Sequence, residues 1–343
     1  MKLGAMKLGA LANNVAIDLG TDNIRIYYKG TIMDEPAVIA YDGYNDNIVA
    51  VGKEAYDMID RNPETIDIIK PLSCGVITDF EMAGRLVSAF LAKVVGGVIK
   101  PRVVVTVPSG ITDVERRAVY DAIMLSEMRE VYVIETPIAG AIGANCDVTM
   151  ARGMMLVDLG SGKCNISTIS VGQTVTGRFI RQGGRDFTEA LIDKVLEKHD
   201  LKIGFHTAER VKKEIGCACP RDRDETTIIN GYNVKTRKPE KIVIHADETL
   251  EAFNDLLDRI AREIKIALDE TPTELLGDIM EDGILLVGGG AQLYGLARRL
   301  RGELGVKVFL AEEADLCVAR GAGLVSENID KMSDSNSYVV TKC

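Results

Sequence analysis

The chain has no Trp, and aromatic residues make up only 5% of its 343 positions. Its cores must therefore be filled by Ile, Val, Leu, Ala and Met. A basic excess is also missing: 41 Lys and Arg against 51 Asp and Glu leave a net charge of −10. That balance argues against a general nucleic-acid binder, which needs a positive face to meet phosphates. Only three His occur, His199, His206 and His245, without a metal-ligand spacing. The seven Cys include no C-x-x-C pair, and Cys217-Ala218-Cys219 is a poor zinc pattern, so reduced thiols of a cytosolic protein are expected. Long apolar runs are lacking as well. The best stretch, Ala89 to Ile99, is interrupted by Lys93 and Gly96-Gly97 and is too short to span a bilayer. The opening Met1 to Ala5 repeats as Met6 to Ala10 and is expected to be a floppy end rather than a membrane toe-hold.

What is present is an ordinary globular composition, 46% hydrophobic and 27% charged, at a length that calls for two domains or more. One device occurs twice. Val15 to Ile26 and Met155 to Ile166 each read as an apolar strand ending in Asp, a small-residue turn, and a second strand of alternating apolar residues. Each is a hairpin whose tip, Gly20-Thr21-Asp22-Asn23 or Gly160-Ser161-Gly162-Lys163, is rich in Gly and hydroxyls. Bare backbone lets N–H groups close on an anion, while Asp18 and Asp158 can hold a cation through water. A single copy would be an ordinary hairpin. Two copies facing each other would clamp a nucleotide's phosphate chain with its Mg²⁺.

Between the hairpins, periodicity predicts strands at 34–41 and 47–52, a short helix with Ala55, Met58 and Ile59 on one face, and a small inserted segment over 37–77. A helix follows over 80–95 with Asp79 at its N-cap, then a buried strand 102–108, a helix 109–126 and a buried strand 130–135. Thr136 is expected to cap the helix that Pro137 opens. After the second hairpin come helices over 187–198 and 208–215, the latter capped by Thr207, strand pieces at 226–229 and 241–245, and a long helix to Asp269. Thr271-Pro272-Thr273-Glu274 reads as a capping box. Strand 284–287 ends in Gly288-Gly289-Gly290, and a helix, a strand over 306–310 and a helix over 314–325 close the fold before a polar, mobile tail. Alternation of strand and helix implies α/β lobes with crossover connections.

The triple glycine puts bare backbone at a strand's C-terminal end, where α/β ligands bind, although a tight strand–helix turn would look the same. Gly160-Ser161-Gly162-Lys163 is not a P-loop, because Val157 stands where the first Gly belongs and Cys164 follows the Lys. No G-x-G-x-x-G opens a helix after a strand, so a dinucleotide fold is poorly supported.

Five linked motifs resemble the MreB family of bacterial actins: D-L-G-T-x-N at 18–23, V-P-S-G at 107–110 with Glu115-Arg116-Arg117-Ala118, V-D-L-G-S-G at 157–162, A-E-R-V-K-K-E-I-G at 208–216 and L-L-V-G-G-G-A at 285–291. The resemblance implies an α/β actin-like ATPase fold, two duplicated ribonuclease-H-like lobes in four subdomains around a nucleotide cleft. It would place subdomain IA at 14–36, 78–150 and 318–343, IB at 37–77, IIA at 151–186 and 249–317, and IIB at 187–248. It implies ATP and Mg²⁺ as cofactors, self-association into double protofilaments, cell-shape support, and a cytoplasmic location with weak peripheral membrane contact through the loop around Leu91 to Ile99. For that loop, a helix end packed on the sheet is an equal reading.

By the same resemblance Thr21, Asp22 and Asn23 lie on the phosphates, with Gly160, Ser161, Gly162 and Lys163 opposite. Glu209, Arg210 and Lys212 reach the adenosine end, Gly288, Gly289, Gly290 and Ala291 border the α-phosphate and base, and Asp18 and Asp158 hold Mg²⁺ through water. Without the resemblance, Glu209 to Lys212 would be a solvated charge pair on a helix. Two departures bear on mechanism. Hydrolysing members usually carry Glu where this chain has Thr136, and Thr where it has Lys163. A Thr hydroxyl cannot serve as a base near neutral pH, although Glu135, one residue earlier, could rescue the chemistry. The expectation is an ATP-binding filament subunit with weak or absent hydrolysis. The alternative is a hydrolysis-competent ATPase whose turnover drives disassembly; a sugar or acetate kinase shares the hairpins, but no feature supplies its second substrate.

Overall fold

The computed structural model of the chain describes residues 14–59, 61–73, 76–95, 100–330 and 339–342. The opening repeat, and residues 96–99 of the membrane-loop stretch, lie outside them. The chain divides into two compact units, Met1–Cys146 with Val318–Cys343, and Asp147–Cys317.

The first unit begins with the antiparallel strands β1 (Val15–Leu19), β2 (Asn23–Tyr28) and β3 (Thr31–Pro36). The run expected as one strand over 34–41 breaks after Pro36, which has no N–H to continue a ladder. Ala37 N donates instead to Asp22 O at 2.7 Å. The chain then enters a separate sheet, in which β4 (Ile39–Asp42) pairs with both β5 (Asn47–Val51) and β6 (Asp67–Ile69). The helix after β5, α1 (Lys53–Asp57), is a little over one turn long, and its Ala55 packs with Val38 and Ala40 in a small core of their own. A two-stranded ribbon, β7 (Leu72–Ser73) and β8 (Val76–Ile77), leads to α2 (Phe80–Val94), where Asp79 caps the helix by accepting from Met82 N.

Strand β9 (Arg102–Val107) runs parallel to β1, helix α3 (Asp113–Met124) follows, and β10 (Glu130–Glu135) runs parallel to β9 before α4 (Thr136–Gly143). Helix α3 starts four residues later than the apolar pattern suggests. Gly110 has a positive φ of 72°, and Thr112 with Glu115 forms a reciprocal capping box. The fully buried Phe90 and Leu86 of α2 pack on Ile17, Ile26 and Val105, so the sheet is covered where its apolar run is continuous.

The second unit repeats the plan. Strands β11 (Met154–Leu159), β12 (Cys164–Ser170) and β13 (Gln173–Ile180) are antiparallel, followed by α5 (Gly184–His199), β14 (Leu201–Lys202), α6 (Phe205–Ile215) and the hairpin β15 (Thr226–Asn233) and β16 (Lys238–His245). Long α7 (Ala246–Asp269) and α8 (Thr273–Asp282) lead to β17 (Ile284–Val287), parallel to β11. A 3₁₀ turn over Gly289–Gln292, α9 (Leu296–Leu304) and β18 (Val308–Leu310), parallel to β17, complete it. Helix α7 buries the stripe Phe253, Leu257, Ile260 and Ile264, and the Phe253 ring meets Phe187 of α5 edge-on at 5.1 Å.

Sheet orders β3-β2-β1-β9-β10 and β13-β12-β11-β17-β18 are equivalent, with the same antiparallel and parallel pairings. Even the hairpin registers match: Val15 lies opposite Tyr28, and Met155 opposite Thr168. The chain then passes through α10 (Cys317–Glu327), and β19 (Thr341–Lys342) pairs antiparallel with the edge strand β10. Part of the tail expected to be mobile is thus a strand, held also by Lys342 Nζ on Glu130 at 3.0 Å.

Two threonine caps give way to other partners. Helix α6 starts at Phe205 with Gly204 at its N-cap, not Thr207. Thr271 spends its hydroxyl on Ala267 O at 2.7 Å and meets Thr168 Oγ1 at 3.0 Å, so Pro272, without a side-chain bond, precedes α8.

Replacing Phe253 by Ala should cost about 3–5 kcal/mol, as for other fully buried rings. Urea unfolding of the variant against the wild type checks this, and a loss below the range for any Phe→Ala core change would mean that the α5–α7 contact is not a stabilising centre.

Candidate functional site

In the first unit the polar residues gather at the C-terminal ends of the parallel strands. Asp18, one residue from the end of β1, is 9% exposed, and its carboxylate accepts from Thr106 Oγ1 of β9 at 2.8 Å. Thr21 in the hairpin tip is 8% exposed, and its Oγ1 is buried with no hydrogen-bond partner among the described residues. A buried hydroxyl left this way needs a ligand or water to satisfy it. Its neighbours point elsewhere: Asp22 Oδ1 lies 3.8 Å from Lys70 Nζ, and Asn23 Nδ2 donates to Asp34 Oδ1 at 2.6 Å.

Glu135 and Thr136 stand at the end of β10. Thr136 is not the N-cap of α4; Glu135 occupies that position without a side-chain cap bond, and Thr136 is the first helical residue. A closer acceptor explains the difference. The buried Thr136 hydroxyl donates across to Val107 O of β9 at 3.0 Å, which ties it to the sheet. Glu135 Oε2 accepts from Ser109 Oγ at 2.9 Å.

In the second unit Asp158, 4% exposed, occupies the same strand position, with Asn165 Nδ2 at 3.4 Å from Oδ2. The tip closes when Gly160 N donates to Lys163 O at 2.9 Å, and Lys163 is 8% exposed. Helix α5 docks its N-terminus on this tip: Gly184 N donates to Gly160 O at 2.9 Å and Arg185 N to Ser161 O at 2.8 Å. Only a residue without Cβ fits at Gly183, since a Cβ there would collide with Ser161 O. Gly288, at φ 90°, passes equally close on the other side, where a Cβ would strike Leu159 O and lie 2.7 Å from Asp158 Oδ1. The second unit therefore brings Asp158, Gly160 to Lys163 and Gly288 to Ala291 together.

Two of the three α6 residues join them. Lys212 Nζ donates to Gly184 O at 2.6 Å and Thr188 Oγ1 at 2.8 Å, and pairs with Glu209 Oε2 at 2.6 Å. Thr188, fully buried, also donates to Glu209 Oε2 at 2.6 Å. Burial would raise the Glu209 carboxyl, but the Lys212 ammonium, the Thr188 hydroxyl and Lys213 outweigh it and hold the group below its ordinary value. Arg210 points away, donating to Glu214 at 2.7 Å and to Ile228 O at 3.1 Å on β15.

Thr106, Ser109 and Thr188 have no role assigned to them from the sequence. Single hydroxyls have no spacing signal; Thr106 stands out only as a polar residue inside the apolar run Val103 to Val107, and Ser109 only as a member of the V-P-S-G motif. No group of three or more His, Cys, Asp or Glu that could hold a metal occurs among the described residues. No helix among them is long and apolar enough to cross a membrane.

The sequence profile of the MreB/Mbl protein family matches residues 12–334. The cell shape-determining protein MreB of Escherichia coli K12 is 40% identical over 331 residues, covering 94% of this chain and 95% of that protein. Cell shape-determining protein Mbl of Bacillus subtilis 168 is 37% identical over 325 residues, with coverage of 94% and 98%. Among solved structures, MreB5 of Spiroplasma citri bound to ADP matches with a TM-score of 0.90 at 28% identity, covering 94% of this chain and 98% of that one. A MamK double helical filament, 20% identical with a TM-score of 0.78 over 92% of this chain and 99% of that one, shares the fold.

Because the folded Glu209 carboxyl titrates below its unfolded value, its stabilising contribution is complete above the ordinary Glu pKa of about 4.3 and disappears as pH falls through the lowered folded value. Thermal melts should show Glu209→Gln less stable than wild type at neutral pH, with the gap closing in acid. A gap that widened in acid would contradict the assignment.

Proposed function

The chain belongs to the MreB/Mbl family, and on that premise we propose that it is an ATP-binding subunit of cytoskeletal filaments that hydrolyses ATP weakly or not at all. Its fold is the actin-like one, and the structures of MreB5 bound to ADP and to AMPPNP support a nucleotide as ligand. The reading assigns the phosphates to Thr21, Asp22 and Asn23 and to Gly160, Ser161, Gly162 and Lys163. Glu209 and Lys212 serve the adenosine end, Gly288 to Ala291 serve the α-phosphate and base, and Arg210 braces β15. The double helical filament of MamK supports self-association.

A divalent cation fits this reading only as a companion of the nucleotide. Asp18 and Asp158 are hard oxygen donors, but no protein cage surrounds either among the described residues. Such a set suits Mg²⁺, which keeps several waters and takes phosphate oxygens. When bound, the ion neutralises charge on the phosphates; Asp18 and Asp158 would orient its waters.

The observation that carries the weak-hydrolysis reading is the Thr136 hydroxyl donated to Val107 O. Phosphoryl transfer to water needs a side chain that orients the water and takes its proton. Thr136 is buried, committed to backbone and not basic. Lys163 supplies charge for the phosphates but no acceptor for that proton. Glu135 is the carboxylate nearest in sequence, and its bond to Ser109 holds it at the helix entry. The second reading, a hydrolysing ATPase that drives disassembly, would need that bond to open.

Loss of a general base is worth about 10²–10⁴-fold in rate. Phosphate release by the purified protein with Mg²⁺-ATP should be near background, polymer should pellet equally with ATP and AMPPNP, and Thr136→Glu with Lys163→Thr should raise release. Turnover equal to a hydrolysing relative, with polymer lost as ATP is consumed, would favour the second reading.

A further inference from the structure

We propose that the uncovered edge of β18 is a docking site for an extended acidic segment of a partner protein, which would add to the second sheet as β19 adds to the first. The duplication identifies the site. Strand β10 runs parallel to β9 and is then covered by β19, whereas β18 runs parallel to β17 and has no further strand neighbour among the described residues. Val15 pairs with Val103 and Val103 with Val131; in the second unit Met155 pairs with Ile284 and Ile284 with Val308. These registers make Tyr132 and Val133 of β10 equivalent to Phe309 and Leu310 of β18. The covered pair is 6% and 3% exposed, the uncovered pair 48% and 46%. An edge strand with half-exposed apolar side chains is a template for another chain.

Backbone and charge define what fits. Lys307 O accepts from Ile284 N at 2.8 Å and Ala311 N donates to Leu286 O at 2.9 Å, so both residues face β17. By the alternation of a strand, Leu310 turns its N–H and C=O to the open side. Its counterpart Val133 is the residue opposite Thr341 of β19. On the first edge Glu130 Oε1 meets Lys342 Nζ at 3.0 Å. The residue equivalent to Glu130 is Lys307, so the charge is reversed. Lys307 Nζ donates to Glu281 O at 2.9 Å and Arg301 Nη2 to Val308 O at 3.0 Å, and neither cation has a carboxylate partner among the described residues. The carboxylates of Glu281 and Asp282 are held by Arg152 at 2.8 and 2.6 Å. Glu312 and Glu313 come only after the strand's opposite end. A basic strand such as β19 would meet like charge at this edge, whereas an acidic one would gain ion pairs.

The test is fluorescence anisotropy of labelled peptides spanning residues 336–342, mixed with the full chain without nucleotide. The Lys342→Glu peptide should bind at least about threefold tighter than the native peptide, the scale of one exposed ion pair. With Lys307→Glu protein that order should reverse. Leu310→Pro removes an outward N–H at an edge, where proline is tolerated, and should abolish binding of the Lys342→Glu peptide. Absent or equal binding of the two peptides, or binding that survives Leu310→Pro, would overturn the inference. So would tighter binding of the native peptide, which would make the edge a site for the tail of a second copy. Should Leu310→Pro not fold by circular dichroism, the reversal in Lys307→Glu decides.

Discussion

A carboxylate buried one residue from the end of a parallel strand is the constraint around which each unit is built. Asp18 and Asp158 are both under 10% exposed, and burial of such a group is unfavourable unless the surrounding structure answers its charge. Each unit answers with the same topology: a neighbouring parallel strand, an antiparallel hairpin partner and a tip without bulky side chains. In the first unit Thr106 and Arg25 face the carboxylate. In the second, Asn165 and the close passage of Gly288 do so. The sheets exist to hold these ends in register, and the matched pairings of Val15 with Tyr28 and Met155 with Thr168 show how faithfully the plan is repeated.

Divergence between the repeats falls on side chains rather than on backbone. The second tip has α5 docked on it through Gly184 and Arg185 and a cluster of Thr188, Glu209 and Lys212 behind. Opposite the first aspartate stands an arginine, and the end of β10 presents Glu135 and Thr136. Backbone geometry that suits an anion has been retained in both. On the proposed reading, in which no base is positioned, nucleotide binding alone would set a conformation or an assembly state, since binding can shift such an equilibrium.

Much of this was legible in the residues. The two hairpins, the buried strands at 102–107 and 130–135 and the long α7 follow from periodicity and runs, because their apolar patterns are long and unbroken. Helix starts were less legible, for one physical reason. Asp79 caps α2 as expected. Thr136 and Thr271, by contrast, find carbonyls of Val107 and Ala267 nearer than any cap partner. A threonine hydroxyl donates as readily as it accepts, so local sequence cannot say which neighbour the fold will bring to it. The entry of residues after Pro36 into a second sheet and the pairing of β19 with β10 depend on strands far away in the chain. In the candidate site, the glycines and aspartates stood out because they form short motifs, an apolar strand ending in Asp or a run of Gly at a strand's end. The partners of Thr106, Ser109 and Thr188 were not legible, since each acts on a residue at least 20 positions away.

On the proposed reading a nucleotide would contact the Asp18 tip of one unit and the Asp158 tip of the other, with no side chain placed to activate water. A structure of the full chain after prolonged incubation with Mg²⁺-ATP tests it most directly. The expected result is an intact triphosphate at those tips, with the Thr136 hydroxyl still on Val107 O and Glu135 still on Ser109. ADP in its place, with Glu135 swung onto a water in line with the missing phosphate, would contradict it.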